Sequence, residues 1–383
     1  MTVSDQTWMA IALDEAEKGR GLVEPNPVVG AVIVKDGREV GRGHHARFGG
    51  PHAEVAALAV AGQEARGATL FVTLEPCCHH GKTPPCTDAI LEAGIAKVVV
   101  SARDPFPRVN GGGLDRLRAA GVTVELGLLG DRAARQNAPF FKRVYTGHPY
   151  VIAKWAMTLD GKVAAATGDS RWISGEASRA EVHRVRGRMD AILVGIGTAL
   201  ADDPQLTVRP PGPRTPLRVI LDGEARIPVE SRLVSTSRSV PVLVAVTGRA
   251  AADRCRALTD AGCEVLSLPS ESSRIPVVPL LSKLGERGMT NILVEGGGRI
   301  LGAFLDAGQI DEVDAFLAPM LEGGDHASTA IRGRGVLRMP DSTRLEGVSY
   351  SQVGPDLRVR GWLDQPWRAR LKDLVQSPGD DRS

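Results

Sequence analysis

No stretch of this 383-residue chain comes near the ~20 unbroken apolar residues that a membrane-spanning helix needs, which argues against an integral membrane protein. Neither sign of charge is in excess: 47 basic against 45 acidic residues leave no electrostatic footprint for nucleic acid or a membrane surface. The arginines at 184, 186 and 188 read as a solvated helix face. Residues Met1 to Gln6 are polar and run straight into an amphipathic segment, so no signal peptide is visible and a cytoplasmic location is expected. Cysteine is sparse and clustered. Of five, Cys77, Cys78 and Cys86 fall within ten residues, whereas a disulfide framework would spread them; metal binding is the better reading. Cys255 and Cys263 stand apart with no nearby histidine and read as packing residues. What is present, 43% apolar and 24% charged residues, is the composition of a folded globular chain too long for one core.

The first 145 residues alternate between the two regular periods. Helical spacing runs from Asp5 to Lys18, and Val28 to Val34 reads as a buried strand. Asp36-Gly37 marks a hairpin into a second strand near Val40. Helices are expected at Ala53–Ala61, Thr87–Ala93 and Leu114–Ala120, with strands at Thr69–Leu74, Lys97–Ser101 and Val122–Leu126. Strands separated by helices imply a mainly parallel sheet covered on both faces. Asn137 to Pro149, with Pro139 and Gly147, breaks the pattern and is the expected boundary. A second α/β alternation then runs from Tyr150 to about Leu363, and a polar tail follows. No internal repeat is visible.

Within the first half, His52-Ala53-Glu54 opens a helix, Pro76-Cys77 follows a strand, and Pro85-Cys86 opens another helix. One imidazole and two thiolates give three ligands and leave a fourth tetrahedral position for water, whose pKa zinc lowers towards ~7. Glu54 then suits a proton shuttle. Helix N-termini at His52 and Cys86 favour thiolate over thiol. A structural zinc site closed by His79 or His80 is the alternative, although it leaves Glu54 without a task; His44 and His45 are further candidates for the pocket wall.

The runs Pro25-Asn26-Pro27-Val28-Val29-Gly30, Pro51-His52-Ala53-Glu54 and Thr73-Leu74-Glu75-Pro76-Cys77, then His79-His80-Gly81-Lys82-Thr83-Pro84-Pro85-Cys86, closely resemble the bifunctional riboflavin-biosynthesis deaminase/reductase family. Eight residues separate Cys77 from Cys86, where the wider deaminase family has two, and Cys78 stands where relatives commonly carry serine. The resemblance implies a cytidine-deaminase-like α/β/α domain over 1–146 and a dihydrofolate-reductase-like α/β domain over 147–365. The remaining 366–383 are expected to be a disordered tail. One zinc ion per chain on His52, Cys77 and Cys86, catalysis by Glu54 and the use of NADPH are implied with it.

The second half carries two glycine-rich turns. Gly195-Ile196-Gly197-Thr198-Ala199-Leu200 has leucine where a dinucleotide fingerprint has its third glycine. Gly296-Gly297-Gly298-Arg299 follows a strand and opens a helix, an arrangement able to hold a pyrophosphate or to be a bare tight turn. Lys154, Thr158 to Lys162, Gly168 to Ser174, Asp202 to Arg209 and Val294 to Gly297 look like the same family's reductase domain. By that likeness Ala156, Trp172, Thr198, Asp202 and the run Gly297, Gly298, Arg299, Ile300, Leu301, Gly302 and Ala303 would contact the cofactor. Ser170, Arg186, Leu206, Arg209 and Glu295 would contact substrate, the arginines through its phosphate. The partners implied are small phosphoribosylaminopyrimidines, without nucleic acid or membrane; a homo-oligomer is compatible with the sequence. Two rival readings are a zinc deaminase acting on nucleic-acid bases and a non-catalytic zinc-stabilised module.

Overall fold

The computed structural model describes residues 3–81 and 84–376, so Lys82 and Thr83 of the motif and 377–383 of the tail lie outside the described residues. The chain divides into two compact units, Met1–Gly147 together with Pro366–Ser383, and His148–Gln365.

In the first unit, α1 (Asp5–Glu17) is capped by the Ser4 side chain, which accepts from the Thr7 amide. Strands β1 (Gly30–Lys35) and β2 (Arg38–His44) form a hairpin around Asp36-Gly37, both at positive φ. Then come α2 (Ala53–Ala61), β3 (Thr69–Leu74), α3 (Cys86–Glu92), β4 (Lys97–Ala102), α4 (Gly112–Ala119) and β5 (Thr123–Leu126). The sheet order is β2-β1-β3-β4-β5. Only β3–β4 and β4–β5 pair in parallel; β1 is antiparallel to both neighbours, so the sheet is mixed rather than mainly parallel. Ala31, Ile33, Leu70, Val72, Val98 and Val100 pack one face against α2, α3 and α4. Gly30 lets β1 close on α1, since a Cβ there would lie 2.0 Å from the Ala12 carbonyl oxygen.

The expected boundary is helical. After α5 (Gly130–Gln136), α6 (Ala138–Thr146) fills the segment read as a break, with Pro139 in its first turn and left-handed Gly147 at its end. Proline is well suited to that position and glycine to this one, so both residues delimit a helix. The tail is a second correction. Pro366–Leu371 forms a 3-10 turn and Lys372–Val375 a short helix, with Trp367 and Leu374 buried; these two apolar anchors order residues that composition marked as disordered.

The second unit runs β6 (Tyr150–Thr158), β7 (Lys162–Ala164), α7 (Glu176–Arg186), β8 (Ala191–Gly195), α8 (Ile196–Asp202), β9 (Leu217–Leu221) and α9 (Arg232–Ser235). It continues β10 (Val242–Thr247), α10 (Ala252–Asp260), β11 (Glu264–Leu268), α11 (Val277–Glu286), β12 (Asn291–Val294), α12 (Gly298–Asp306), β13 (Glu312–Ala318) and β14 (Ser328–Thr329). The hairpin β15 (Leu345–Val353) and β16 (Asp356–Leu363) ends it. Nine strands form one sheet, ordered β11-β10-β9-β8-β12-β6-β13-β16-β15, parallel except at β16 and β15. Apolar clusters cover both faces, and Cys255 and Cys263 lie in one of them, as expected of packing residues. Among the described residues no helix is long and apolar enough to cross a membrane.

Candidate metal centre and reductase site

His52 is the N-cap of α2 in an extended conformation, which turns its ring off the helix start, and Cys86 is the first residue of α3. Cys77 follows β3, and the Cys86 amide donates to its sulfur at 3.3 Å. His52 Nδ1 lies 3.2 Å from Cys86 Sγ and 3.6 Å from Cys77 Sγ, and the three ligand atoms fall within 4.8 Å of one another. Ligand atoms on a tetrahedron with ~2.1 Å Zn–N and ~2.3 Å Zn–S bonds are roughly 3.5–3.8 Å apart, so this donor set fits zinc with one corner open. Among the described residues the group stops at three. Cys78 turns away, its sulfur 3.8 Å from the Arg108 carbonyl, and His80 is exposed. His79 lines the neighbouring cleft, where its buried Nδ1 has no partner.

Cys77 is drawn down to about 4, first by the hydrogen bond from the Cys86 thiol, while that same bond holds Cys86 up. The hydrogen bond with Cys77 raises His52. Glu54, 3% exposed, is pushed up to about 7 by burial, where a carboxyl group can both take and give a proton at neutral pH. A cleft of about 340 Å³ opens over these groups, walled by Asn26, His45, His79, Asp104, Phe106, Phe140 and Arg143 among others. His45 is buried and lowered by that burial; its Nδ1 donates to the Pro51 carbonyl at 2.9 Å, leaving Nε2 to accept from Asn26 Nδ2 at 3.1 Å. His44 points elsewhere, to Glu15 at 2.9 Å. Burial also lifts Asp104 to about 7.

In the second unit Arg186 and Glu295 form a two-pronged pair, Nε–Oε1 at 2.5 Å and Nη2–Oε2 at 2.7 Å. Arg186 is therefore not the solvated helix residue its run suggested: its side chain is 14% exposed. Lys154 stands within electrostatic reach of both, its ammonium disfavoured chiefly by burial. Arg209 is exposed, with Nη1 on Gln205 Oε1 at 2.5 Å and Thr207 Oγ1 at 3.1 Å. Ser170 Oγ donates to Asp202 Oδ1 at 2.9 Å, joining a residue expected on substrate to one expected on cofactor. Gly297 faces Thr198, whose hydroxyl oxygen would lie 2.8 Å from a Cβ there. Arg299 and Trp172 are exposed, and the Arg179 guanidinium sits 4.6 Å from the Trp172 ring centroid. Other members of the set turn inward. Leu206 and Leu301 put their side chains in the core, Ile300 and Ala303 pack against it, and Gly302 abuts the Arg332 carbonyl, so only backbone is left to Leu206.

The family model for the cytidine and deoxycytidylate deaminase zinc-binding region matches residues 2–102, and that for the RibD C-terminal domain matches 149–359. The riboflavin biosynthesis protein RibD of Bacillus amyloliquefaciens is 42% identical over 356 residues, 93% of this chain and 95% of that protein. The chain belongs to the RibD family. Acinetobacter baumannii RibD superposes with a TM-score of 0.81 at 39% identity, covering 94% of this chain and 99% of that one. The Thermotoga maritima diaminohydroxyphosphoribosylaminopyrimidine deaminase/5-amino-6-(5-phosphoribosylamino)uracil reductase does so with 0.81 at 38%, covering 94% and 98%. As in RibD proteins generally, a zinc-binding deaminase unit is joined here to a reductase unit in riboflavin biosynthesis.

Two features of this RibD chain escape a reading of motifs. The Asn26–His45 clamp joins residues from different runs, and only the fold brings them together. Arg218 is wholly buried on β9 with no acidic partner among the described residues, donating to the carbonyls of Gln205, Thr236 and Val240. A lone charge inside the apolar strand Leu217–Leu221 was its one visible signal.

Proposed function

We propose that the first unit hydrolyses the 2-amino group of 2,5-diamino-6-(5-phosphoribosylamino)pyrimidin-4(3H)-one and that the second reduces the ribosyl side chain to ribityl with NADPH. The observation that carries the deaminase reading is a buried carboxyl, Glu54, lining the same cleft as a three-donor cluster with an open corner. Zinc held by His52, Cys77 and Cys86 supplies the Lewis acidity that makes water a nucleophile at neutral pH. Glu54 takes one proton from the attacking water and delivers it to the ring nitrogen, then takes the remaining hydroxyl proton and passes it to the amine, so that the carbonyl forms as ammonia leaves. His45, with its Nδ1 proton fixed on Pro51, holds Asn26 at the cleft wall to orient the base.

In the second unit NADPH supplies the hydride. Its pyrophosphate suits the start of α12 at Gly297 and Gly298, with Thr198 beside them, and the family likeness would add Trp172, Ala156 and Asp202. Asp202 fixes Ser170 towards substrate, and Arg209, whose side-chain partners are neutral, offers its charge to the sugar phosphate. Lys154, a desolvated amine that gives up its proton readily, protonates the ring oxygen as the sugar opens. We further assign deamination to 1–146 and reduction to 147–365, and place the chain in the cytoplasm, where a two-thiolate site stays reduced. Incubation with the diaminopyrimidine tests the whole reading: ammonia and the ribosyl product without NADPH, the ribityl product with it. Deamination of single-stranded RNA in place of that compound would overturn it.

A further inference from the structure

Residues 366–376 follow the entire second unit yet pack on the first. Their seat is shaped by two glycines: a Cβ on Gly127 would lie 2.4 Å from the Val375 carbonyl oxygen, and one on Gly130 would lie 2.5 Å from the Val375 side chain. The Arg103 amide donates to the Leu374 carbonyl at 2.7 Å, and the Arg103 guanidinium reaches the Gln376 carbonyl at 3.4 Å. Arg370 stacks its guanidinium 4.0 Å from the Tyr145 ring centroid. Both receiving elements wall the deaminase cleft. Arg103 immediately precedes Asp104 on the loop that also brings Phe106 to the cleft, and Tyr145 lies on α6, which brings Phe140 and Arg143. Glu75 ties the far side of that loop, accepting from the amides of Asp104, Gly111, Gly113 and Leu114.

We propose that residues 366–376 are a positioning segment of the deaminase site. They hold the 103–109 loop and α6 at the cleft, so deamination depends on residues that follow the reductase while reduction does not. The functional half of this statement rests on the cleft being the deaminase site, as proposed above.

A chain ending at Gln365 tests it against the full chain, with reduction of the deaminated compound as the internal control. Wall displacements near 1 Å can cost on the order of 10²-fold in rate. Deamination should fall at least about tenfold, with reduction unchanged within about twofold, and a peptide of residues 366–376 added in trans should restore it. Hydrogen exchange reads the same placement without substrate: the 103–109 amides should exchange faster in the short chain while those of 148–365 do not change. In the full chain, Gly130→Ala should reproduce both effects by crowding Val375, and Gly130→Ala with Val375→Gly should reverse them. Full deamination and unchanged exchange in the short chain would overturn the proposal. So would Gly130→Ala without effect, which decides the matter if the short chain aggregates. A full chain that deaminates nothing sinks the function given to the cleft, whereas exchange still decides the positioning.

Discussion

Replacing Glu295 by alanine should destabilise the second unit by about 3–5 kcal/mol, the usual cost of stripping one partner from a buried ion pair. Among the described residues Arg186 keeps only the Thr207 carbonyl, at 3.4 Å, once its two-pronged partner is gone, so a guanidinium in a largely buried position is left uncompensated. For a unit of this size each kcal/mol moves the melting temperature by roughly 2–4 °C, which gives a fall of about 6–20 °C. Scanning calorimetry should show it in the transition of the second unit, with the first unit's transition as reference. The pair also sets a pH dependence. Burial pulls Glu295 upward, but the charge and hydrogen bonds of Arg186, with Lys154 and His183, outweigh it and hold the carboxyl below its usual range. A depressed carboxylate contributes stability above its unfolded value of about 4.5 and loses it as pH falls through the lower folded value, so the difference between wild type and variant should shrink only in acid. Arg186→Met with Glu295→Leu should recover most of the stability without the reductase activity, which separates the pair's structural part from its chemical one. A Glu295→Ala melting shift under about 3 °C would refute the reasoning, because it would mean that water reaches Arg186.

Glu54→Gln should keep zinc and lose deamination by at least ~10²–10⁴-fold, since an amide of equal size cannot relay protons; metal content and ammonia release measured together check it. Cys77→Ser should strip the metal and Cys78→Ser should not, because only Cys77 points into the three-donor group; zinc analysis of both variants decides. Chelation should abolish deamination and leave NADPH oxidation by the second unit intact, as followed by absorbance. Arg218→Met should weaken reduction and raise KM for the ribosyl compound with deamination unchanged, because Arg218 pins the Gln205 carbonyl at 3.1 Å beside Leu206 and Arg209. A KM unaltered within about twofold would remove that role; losing a charge-assisted bond ordinarily costs about 1.5–3 kcal/mol.

Where chemistry sits in short runs the sequence was highly readable. Ala53–Ala61 and Thr69–Leu74 are the elements their periodicity indicated, and His52, Cys77 and Cys86 converge as their types required. Misreadings arose where one residue type serves two purposes. Pro139 and Gly147 mark loops as often as helix ends, and nothing local shows which. Asp364 to Ser383 is polar, yet Trp367 and Leu374 suffice to anchor part of it once a groove exists to receive them. Arg186 resembles its neighbours Arg184 and Arg188 until Glu295, 109 residues away, is placed beside it. The β15–β16 hairpin ends the large sheet antiparallel, where strand–helix alternation implies parallel pairing.

The departure of the chain from the first unit at Gly147 and its return at Pro366 also bear on how the molecule is made. A ribosome adding about 5–20 residues per second needs roughly 10–45 s to pass the 218 residues between those points. Through that interval the nascent first unit carries a vacant groove over Gly127 and Gly130, with the Leu374 carbonyl that the Arg103 amide awaits not yet synthesised. The second unit has all of its own strands by Leu363, before the residues that complete the first unit have been made.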